Sequence, residues 1–428
     1  MSNPLRLGIA GLGTVGVGVV KIVQKHADLL AVRTGRSISI TAVSARSKDR
    51  DRGVSLSKFA WEDDPVALAK RDDVDIFVEL MGGSDGPAKA ATQAALAAGK
   101  HVVTANKAML ALYGQELAEL AEANDVALRF EAAVAGGIPV VKSLTEGLAG
   151  NQITRIMGVM NGTCNYILTR MASAGLPYAD VFEEASQLGY LEADPTLDVG
   201  GIDAGHKLAL LASIAFGTKV SFDKMVLEGI ERISIDDINR AADLGYKIKL
   251  LGVAQMTGRG LEQRMTPCLV PATSPLGQLE NATNMVVLEG DTVGQIVLRG
   301  AGAGEGPTAS AVMADICDLA RGSRVTTFGQ PATTLTTPVA ASTATPAQFY
   351  LRLVLLDKPG ALAKVATVLS DVGISIDRMR QYGEHDTDVP VLIVTHKAAR
   401  NSLDAALAKL DQLDVVVGQP VALRIEDV

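Results

Sequence analysis

The first thirty residues constrain the fold of this chain more than any other segment. An apolar run from Leu5 to Ala10 predicts a short strand, and Gly11-Leu12-Gly13-Thr14-Val15-Gly16 follows it directly. A helical pattern then continues to about Leu30. This order is the dinucleotide-binding fingerprint: Gly11 permits the tight turn, Gly13 lets backbone approach a pyrophosphate, and Gly16 lets the helix pack closely on the strand. Thr14 and Val15 open the helix, whose N-terminus would face the phosphates.

Alternating strands and helices continue beyond the fingerprint. The predicted strands share apolar, β-branched composition and are Ser37–Val43, Asp75–Leu80, His101–Thr104 and Ala127–Glu131. Helices are predicted at Pro87–Ala98 and Leu110–Ala123. Five or six β/α units predict a Rossmann-type parallel sheet over residues 1–132. Ligands bind at the carboxyl ends of such strands, so the candidate contacts there are Gly82, Gly83, Thr104 and Lys107.

The end of the second strand indicates which dinucleotide is preferred. A site specific for NAD usually carries an acidic residue there for the ribose 2′-hydroxyl. This chain instead reads Ser44-Ala45-Arg46-Ser47-Lys48, and Arg46 and Lys48 suit a 2′-phosphate. We therefore expect a preference for NADP. A basic surface loop is the structural alternative, and NAD stays possible.

Between Gly189 and Lys207 the sequence GYLEADPTLDVGGIDAGHK places ionisable groups among small and apolar residues. Asp203 and Lys207 lie four apart and share one face of a predicted helix over Gly201–Phe216. Leu210, Leu211 and Ile214 continue that stripe, which favours an inward-facing pair. A buried lysine held by a carboxylate is a tunable proton donor, whereas a solvent-facing ion pair is the common alternative. The block predicts a catalytic site.

The rest of the chain divides into three parts. Mixed helical and β-rich segments over residues 133–328 predict an α+β substrate-binding and dimerisation domain. A glycine-rich loop at 300–308 precedes a predicted helix from Ala309 to Arg321, and its Gly306 is a candidate cofactor contact, with a surface turn as the alternative. Residues 329–348 are rich in threonine and proline and predict a linker. Residues 349–428 read βαββαβ, which predicts a ferredoxin-like domain.

Composition excludes several classes of function. The chain has 428 residues, a net charge of −8 and no run of lysine and arginine, which argues against nucleic acid or an anionic membrane as a partner. No apolar run approaches the length of a membrane span. The three cysteines, Cys164, Cys268 and Cys317, show no metal-ligand spacing. A reducing, cytoplasmic setting is therefore expected.

The Gly189–Lys207 block resembles the signature of homoserine dehydrogenases, A-x3-G-aromatic/aliphatic-small-x2-D-P-x2-D-aliphatic-x-G-x-D-x3-K. The matching positions are Ala185, Gly189, Tyr190, Asp194, Pro195, Asp198, Val199, Gly201, Asp203 and Lys207. Leu191 departs from the pattern, standing where a small residue is usual, and Cys164 replaces a more familiar threonine or serine. The change at Leu191 removes no functional group. The C-terminal region resembles an ACT domain, with Asp357-x-Pro-Gly as its first turn.

The resemblance implies NAD(P)-dependent interconversion of L-aspartate 4-semialdehyde and L-homoserine. It implies that Lys207 donates the proton, that Asp203 contacts substrate and orients this lysine, and that Lys107 is a second candidate for proton transfer. The substrate would also contact Glu192, Thr163, Gly189 and Asp198. Glu131 and the carbonyls of Val134, Gly136 and Ile138 resemble the family's monovalent-cation site, usually for sodium.

Three questions stay open at this stage. Another NADP-dependent dehydrogenase of an amino acid or keto acid is the first alternative, and an amino-acid-sensing protein with an inactive dehydrogenase body is the second. The ACT-like domain is expected to be separable and to bind an amino acid, L-threonine first, although a purely assembling role is the alternative. A homodimer or homotetramer is expected.

Overall fold

The computed structural model describes residues 3–191, 194–382 and 388–428. The N-terminal part contains a six-stranded sheet in which all neighbouring strands are parallel, in the order β3-β2-β1-β4-β5-β6. Its strands are β1 (Leu5–Ala10), β2 (Ile38–Ser44), β3 (Ala60–Trp61), β4 (Ile76–Glu79), β5 (His101–Thr104) and β6 (Leu128–Arg129). This order is that of a dinucleotide-binding sheet and confirms the predicted fold class.

Five helices connect and cover these strands: α1 (Thr14–Lys25), α2 (Ala27–Thr34), α3 (Pro65–Lys70), α4 (Pro87–Ala97) and α5 (Lys107–Ala123). The single helix predicted from the fingerprint to about Leu30 is in fact two helices, since His26 ends α1 with non-helical dihedrals. The short β3 and α3 were not predicted, because segments of two and six residues carry too little periodicity.

The second sheet runs through the middle and the C-terminal end of the chain. Its strands lie in the order β12-β11-β7-β9-β10-β16-β13-β15-β14, and β8 pairs with β10. The central strands are β7 (Ile153–Val159), β8 (Val226–Leu227), β9 (Tyr246–Thr257), β10 (Gly260–Pro271), β11 (Thr283–Gly290) and β12 (Gly294–Ala301). The C-terminal strands are β13 (Gln348–Leu356), β14 (Ile376–Gln381), β15 (Asp388–Thr395) and β16 (Val421–Ile425).

The remaining helices pack on this sheet or return to the first domain. They are α6 (Val140–Lys142), α7 (Gly162–Ala174), α8 (Tyr178–Gln187), α9 (Thr196–Val199), α10 (Ile202–Phe216), α11 (Ile235–Asp243), α12 (Glu305–Ala320), α13 (Ala361–Asp371) and α14 (Arg400–Leu410). A π-helical turn at Ser143–Gly147 continues α6, and 3-10 turns lie at Glu131–Ala133 and Ala332–Thr334. The C-terminal elements β13-α13-β14-β15-α14-β16 confirm the predicted βαββαβ order.

The expectation that the C-terminal domain is separable is wrong at the level of the sheet. β10 and β16 pair in parallel, so the two domains share one continuous sheet. The buried Glu426, just after β16, accepts hydrogen bonds from Arg155, Arg264 and Arg424. The linker also packs along the catalytic domain, since Thr336 forms an isolated β-bridge with Thr218 and Ala340 forms one with Leu261. Deleting the C-terminal domain would therefore expose a sheet edge and remove Glu426 from Arg155 and from the buried Arg264, which would keep its ion pair with Glu262.

Helix α12 carries the chain back from the central sheet to the dinucleotide domain. Its buried Ala309, Val312 and Ile316 belong to the same apolar cluster as strands β1 and β2. A Cβ on Gly18 would lie 2.9 Å from the Cβ of Ala309, so this glycine of α1 lets the two helices approach closely. The glycine-rich loop before α12 is thereby held over the fingerprint. This packing forms the cleft between the domains.

Candidate active site

A cavity of about 530 Å³ lies where the dinucleotide domain meets the central sheet. Elements from both sides line it: the end of β5, the starts of α5, α7 and α10, and the loop before α12. The predicted residues that line it are Val15, Lys107, Gly136, Thr163, Gly189, Asp198, Asp203 and Lys207. Residues more than ninety positions apart therefore converge on one cavity.

Asp203 and Lys207 form the buried pair that their spacing predicted. Both lie on α10 with 8% of their surface exposed, and the Lys207 Nζ donates to Asp203 Oδ2 at 2.7 Å. The same ammonium donates to the carbonyl of Met160 at 2.8 Å, which fixes its position from a second element. Two of its three protons are thus committed, and the third is available for a ligand in the cavity.

Lys107 reaches the other oxygen of the same carboxylate. Its Nζ lies 3.0 Å from Asp203 Oδ1, and its side chain is 30% exposed. Lys107 is the first residue of α5, which Asn106 caps by accepting from the amide of Met109. One carboxylate therefore holds two ammonium groups that come from different domains.

The charge state of Asp203 follows from these contacts. Burial alone raises the pKa of this carboxyl, but the nearby charges of Lys207 and Lys107 and their hydrogen bonds outweigh burial, so the net shift is well below the ordinary value. Asp203 is consequently ionised throughout the neutral range. Asp203, Lys107 and Lys207 together have one excess positive charge, which suits an oxygen that becomes negative during a reaction, and Asp198 is a further carboxyl in the same cavity.

The turn between β7 and α7 supports both members of the pair. Asn161 caps α7 by accepting from the amide of Cys164 at 2.8 Å, and its Nδ2 donates to Asp198 Oδ1 at 2.9 Å and to Asp203 Oδ2 at 3.4 Å. Asn161 is not among the site residues predicted from the sequence. Its signal was a capping residue directly after an apolar strand.

The predicted substrate contacts around Gly189 form one wall of the cavity. The Thr163 hydroxyl donates to the carbonyl of Tyr190 at 2.9 Å, which ties the start of α7 to the turn after α8. Gly189 has a φ of 74°, a left-handed conformation that favours glycine. Glu192, the predicted contact for the substrate amino group, lies outside the described residues.

The three fingerprint glycines fit a bound dinucleotide. A Cβ on Gly11 would lie 2.3 Å from the carbonyl of Leu80, and one on Gly16 would lie 2.0 Å from the carbonyl of Gly11. These two positions therefore require glycine for packing. A Cβ on Gly13 would meet nothing within 4 Å, because this residue faces the open cleft. That is where a pyrophosphate would approach the backbone.

A second cavity of about 390 Å³ extends this cleft past the end of β2. Arg46 lines it, as predicted, and so do Arg50 and Arg52, which sequence reasoning missed. The Arg52 guanidinium is held by the carbonyls of Leu12 and Ser47 and lies 5.7 Å from the centre of the Trp61 ring. Lys48 is exposed but is not among the lining residues.

Of four other predicted cofactor contacts, one lines a cavity of the cleft and three do not. Gly82 lines the second cavity, whereas Gly83 does not and its carbonyl accepts from Asn106. Thr104 is fully buried and its hydroxyl donates to Glu79 at 2.6 Å, so its side chain supports the sheet and is not presented to either cavity. Gly306 is exposed, and its neighbours Gly302, Ala303, Gly304 and Thr308 line the catalytic cavity in its place.

The predicted cation loop is a buried turn. Glu131 is 2% exposed, and its carboxylate accepts from the amides of Val141 and Lys142 at 3.0 and 2.8 Å. Its own amide donates to the buried Asp315. Burial, and next the charge of Asp315, raise the pKa of Glu131 to about 7. The two amides and the charge of Lys142 lower the pKa, but they do not outweigh burial and Asp315.

The carbonyls of this loop are positioned by strained backbone. Ala135 and Gly136 have φ values of 55° and 52°, and a Cβ on Gly136 would lie 2.4 Å from the carbonyl of Gly302. The carbonyl of Ile138 accepts from the amide of Val140. Within residues 3–191, 194–382 and 388–428, no amide donates to the carbonyls of Val134 or Gly136. Oxygen donors of this kind suit a hard cation.

Comparison with known proteins agrees with this geometry. Residues 11–131 match the family model for the homoserine dehydrogenase NAD-binding domain, residues 139–317 match the homoserine dehydrogenase model, and residues 349–415 match the ACT domain model. The chain is 43% identical over 432 residues to the homoserine dehydrogenase of Neisseria gonorrhoeae, with 99% of each chain covered. This chain belongs to the homoserine dehydrogenase family.

Solved structures of homoserine dehydrogenases have the same fold. The crystal structure of the enzyme from Thiobacillus denitrificans superimposes with a TM-score of 0.94 at 40% identity, covering 99% of each chain. A hyperthermophilic archaeal homoserine dehydrogenase mutant in complex with NADPH has a TM-score of 0.62 at 28% identity, covering 74% of this chain and 97% of that one. The chain is thus an oxidoreductase with an NAD-binding domain and a C-terminal ACT domain.

Two kinds of feature are absent from the part of this chain that the structure describes. None of its helices combines the length and the apolar character needed to cross a bilayer. None of its His, Cys, Asp and Glu side chains gather in groups of three or more that could hold a metal ion. A cation in the Glu131 loop would therefore depend mainly on backbone carbonyls.

Proposed function

We propose that this enzyme reduces L-aspartate 4-semialdehyde to L-homoserine with NADPH, and that Lys207 supplies the proton. One observation carries this assignment of roles: the buried Lys207 ammonium, anchored by Asp203 and by the Met160 carbonyl, points its remaining donor capacity at a cavity shared by both domains. A bound nicotinamide would supply the hydride. The side chains of this cavity would bind and orient the substrate and supply the proton.

The chemistry requires a cation beside the carbonyl oxygen of the aldehyde. As that oxygen gains negative charge, a positioned ammonium stabilises it and can then transfer a proton to it. Lys207 is suited because its position is fixed from two elements before substrate enters. Asp203, which is ionised, holds the ammonium in place through a hydrogen bond of 2.7 Å.

Lys107 has a different part in this proposal. It meets Asp203 from the dinucleotide domain and is more exposed than Lys207. The ion pair across the cleft would draw the two domains together around the substrate and add positive charge near the reacting oxygen. If Lys207 is removed, Lys107 is the alternative proton donor.

The polar groups that remain would select the amino-acid end of the substrate. Thr163, Gly189 and Asp198 line the same cavity as the two lysines, and the family signature assigns the substrate amino group to Glu192. Carboxylates attract an ammonium, and the backbone of the Gly189 turn can accept or donate hydrogen bonds. The substrate class is therefore a small zwitterion with an aldehyde or alcohol at its other end.

We further propose that NADPH is preferred over NADH. Arg46, Arg50 and Arg52 line the cavity beyond β2 together with one acidic residue, Asp63, whose carboxylate accepts from the Trp61 indole. A guanidinium can bind a phosphate with two parallel hydrogen bonds. The archaeal relative in complex with NADPH supports this choice. Lys48 would act at longer range.

A monovalent cation, sodium first, is proposed for the Glu131 loop. The residues fit such an ion: a buried carboxylate with a raised pKa, and backbone carbonyls of Val134 and Gly136 that lack amide partners among the described residues. Ile138 would contribute less, because its carbonyl already accepts from Val140. The ion would stabilise the loop and take no part in the reaction.

For the ACT domain we propose amino-acid feedback, with L-threonine as the first effector to test, in a homodimer or homotetramer. The predicted ligand contact is the turn after the first strand of this domain, Asp357 to Ala361, where α13 begins. The continuous sheet offers a mechanical connection to the catalytic domain. A point variant in this turn is a better probe than truncation, because truncation would break the shared sheet.

A single assay tests the central proposal. Oxidation of NADPH is followed with L-aspartate semialdehyde, then repeated with NADH, with added L-threonine, and with glyoxylate and succinate semialdehyde as control substrates. We expect turnover only with aspartate semialdehyde and a higher kcat/KM with NADPH. Binding of NADPH without turnover of aspartate semialdehyde would favour an inactive, amino-acid-sensing body; turnover of a control substrate would favour another dehydrogenase.

A further inference from the structure

Both polar atoms of the Asn161 side chain make hydrogen bonds, and its amide nitrogen lies between two buried carboxylates of the catalytic cavity. Its Nδ2 donates to Asp198 Oδ1 at 2.9 Å and to Asp203 Oδ2 at 3.4 Å, while its Oδ1 accepts from the amide of Cys164. The residue is 4% exposed. A primary amide is the neutral side chain that can donate twice and accept at the same time.

The same short turn also holds the proton donor. Met160, the neighbour of Asn161, accepts from the Lys207 Nζ, so residues 160 and 161 contact both members of the Asp203–Lys207 pair. This turn follows β7 directly and leads into α7. The geometry of the pair is thus set by a strand end that is anchored in the second sheet.

Two buried carboxylates near each other normally repel, and one of them then takes up a proton. Asp198 is 4% exposed and Asp203 is 8% exposed, and Asn161 is positioned between them as a shared donor. Donation from one amide to both carboxylates fixes their positions relative to each other. An ionised Asp203 is what anchors Lys207 and Lys107.

We infer that Asn161 is a positioning residue for the reaction: it bridges Asp198 to Asp203 and thereby holds the Lys207 ammonium at the reacting oxygen. This inference rests on the proposed role of Lys207. Asn161 makes no contact with the dinucleotide side of the cavity through these bonds, so cofactor binding is expected to be independent of it. The alternative is that Asn161 serves only as the N-cap of α7.

Two substitutions separate positioning from capping. Serine and aspartate both cap helices as well as asparagine does, so Asn161→Ser and Asn161→Asp each keep an acceptor for the Cys164 amide. Serine is too short to reach both carboxylates. Aspartate at neutral pH cannot donate and adds a third negative charge. Ser234→Ala is the matched control, since Ser234 caps α11 away from the cavity.

If Asn161 positions the pair, Asn161→Ser lowers kcat by about 10- to 100-fold, the loss expected for hydrogen bonds to charged groups. The KM for aspartate semialdehyde should change less than kcat, and NADPH binding, measured by fluorescence, should be unchanged. Asn161→Asp should be worse at pH 8.5 and should recover towards the serine variant at pH 6.5. At the lower pH a buried, repelled carboxyl takes up a proton and can donate again.

The opposite result is equally clear. If both variants keep kcat within about threefold of the parent enzyme, or lose activity only in proportion to a fall in Tm of the kind that Ser234→Ala shows, Asn161 is a helix cap and the inference is wrong. Lys207→Ala is measured in parallel. An active Lys207→Ala enzyme overturns the proposed proton donor, whereas an inactive one with unaffected Asn161 variants overturns this inference alone.

Discussion

Two groups of cationic side chains lie along one cleft: the catalytic cluster of Lys107, Asp203 and Lys207, and the basic loop after β2 with Arg46, Arg50 and Arg52. The two groups differ in how their charges are held. Lys207 is buried, and its ammonium has two fixed acceptors. Arg46 and Arg50 are exposed at the rim of the second cavity. At one end, charge is desolvated and its position is set before a ligand arrives. At the other end, charge stays in water and is free to adapt.

This difference determines how much each charge is worth. A buried cation acts at low effective dielectric, and loss of its carboxylate leaves an uncompensated charge, so substitutions there have large effects. An exposed arginine is screened by salt and water, and each one contributes little by itself. Chemistry is therefore expected to depend on single residues at the catalytic end, and cofactor choice on several residues together at the other.

Lys207→Ala should give the largest effect. We expect kcat to fall by roughly 10² to 10⁴-fold, the usual range for a positioned proton donor, with NADPH binding retained. Steady-state rates with aspartate semialdehyde and cofactor fluorescence measure the two quantities. Lys224→Ala, at an exposed lysine, is the control. Near-normal turnover in the Lys207 variant would move the role to Lys107 or water.

Asp203→Asn should have the next largest effect, about 10²-fold on kcat, because it removes an electrostatic contact to the proton donor. Asparagine preserves the shape of the side chain and removes the negative charge between Lys207 and Lys107. An ammonium beside a second ammonium loses its proton more easily. The alkaline limb of the pH–kcat profile should therefore move to lower pH, and an unmoved limb would contradict the anchoring role.

The basic loop should respond more weakly and with salt dependence. The double variant Arg46→Ala/Arg52→Ala should raise the KM for NADPH by about tenfold, as expected for the loss of phosphate hydrogen bonds, and barely change that for NADH. Lys48→Ala should change either constant by less than about twofold. The effect on NADPH should shrink at high ionic strength. Equal changes for the two cofactors would show that this loop does not contact the 2′-phosphate.

The same contrast explains what could be predicted from the sequence. The fingerprint and the spacing of Asp203 and Lys207 are local patterns, and both were correctly interpreted as fold and as a buried pair. Arg52 was missed because hydrogen bonds to the carbonyls of Leu12 and Ser47 hold its side chain at the cavity, and contacts of this kind leave no pattern in the sequence. The pairing of β10 with β16 was missed because strand partners across more than 150 residues leave no periodic signal.

Asn161 and the Glu131 loop show the limits of local reasoning in another way. A capping residue after a strand predicts where a helix begins, but its second contacts, here Asp198 and Asp203, depend on the tertiary fold. Glu131 was assigned to a cation only through the family resemblance. Its burial against Asp315, which raises its pKa, could not be read from the sequence, because Asp315 lies on α12.

The smallest effect is expected at Glu131, which extends the comparison to two buried carboxyls. The pKa of Glu131 is raised, whereas that of Asp203 is lowered. Its pKa rises from 4.5 to about 7 on folding without a cation. Protonation therefore favours the folded state, and this stabilising contribution is lost as the pH rises from 4.5 through 7. A bound sodium ion would compensate the carboxylate and compete with the proton.

We accordingly expect added NaCl, compared with choline chloride at equal ionic strength, to raise Tm by about 2 °C at pH 8 and by much less at pH 6, in line with about 1 kcal/mol of linked binding. Glu131→Gln should abolish the difference between the two salts at both pH values. Glu146→Gln, at a half-exposed carboxylate near the same loop, is the control. A Tm that responds equally to sodium and choline in the parent enzyme would remove the cation from this loop and leave Glu131 as a buried acid whose role is to accept the amides of Val141 and Lys142.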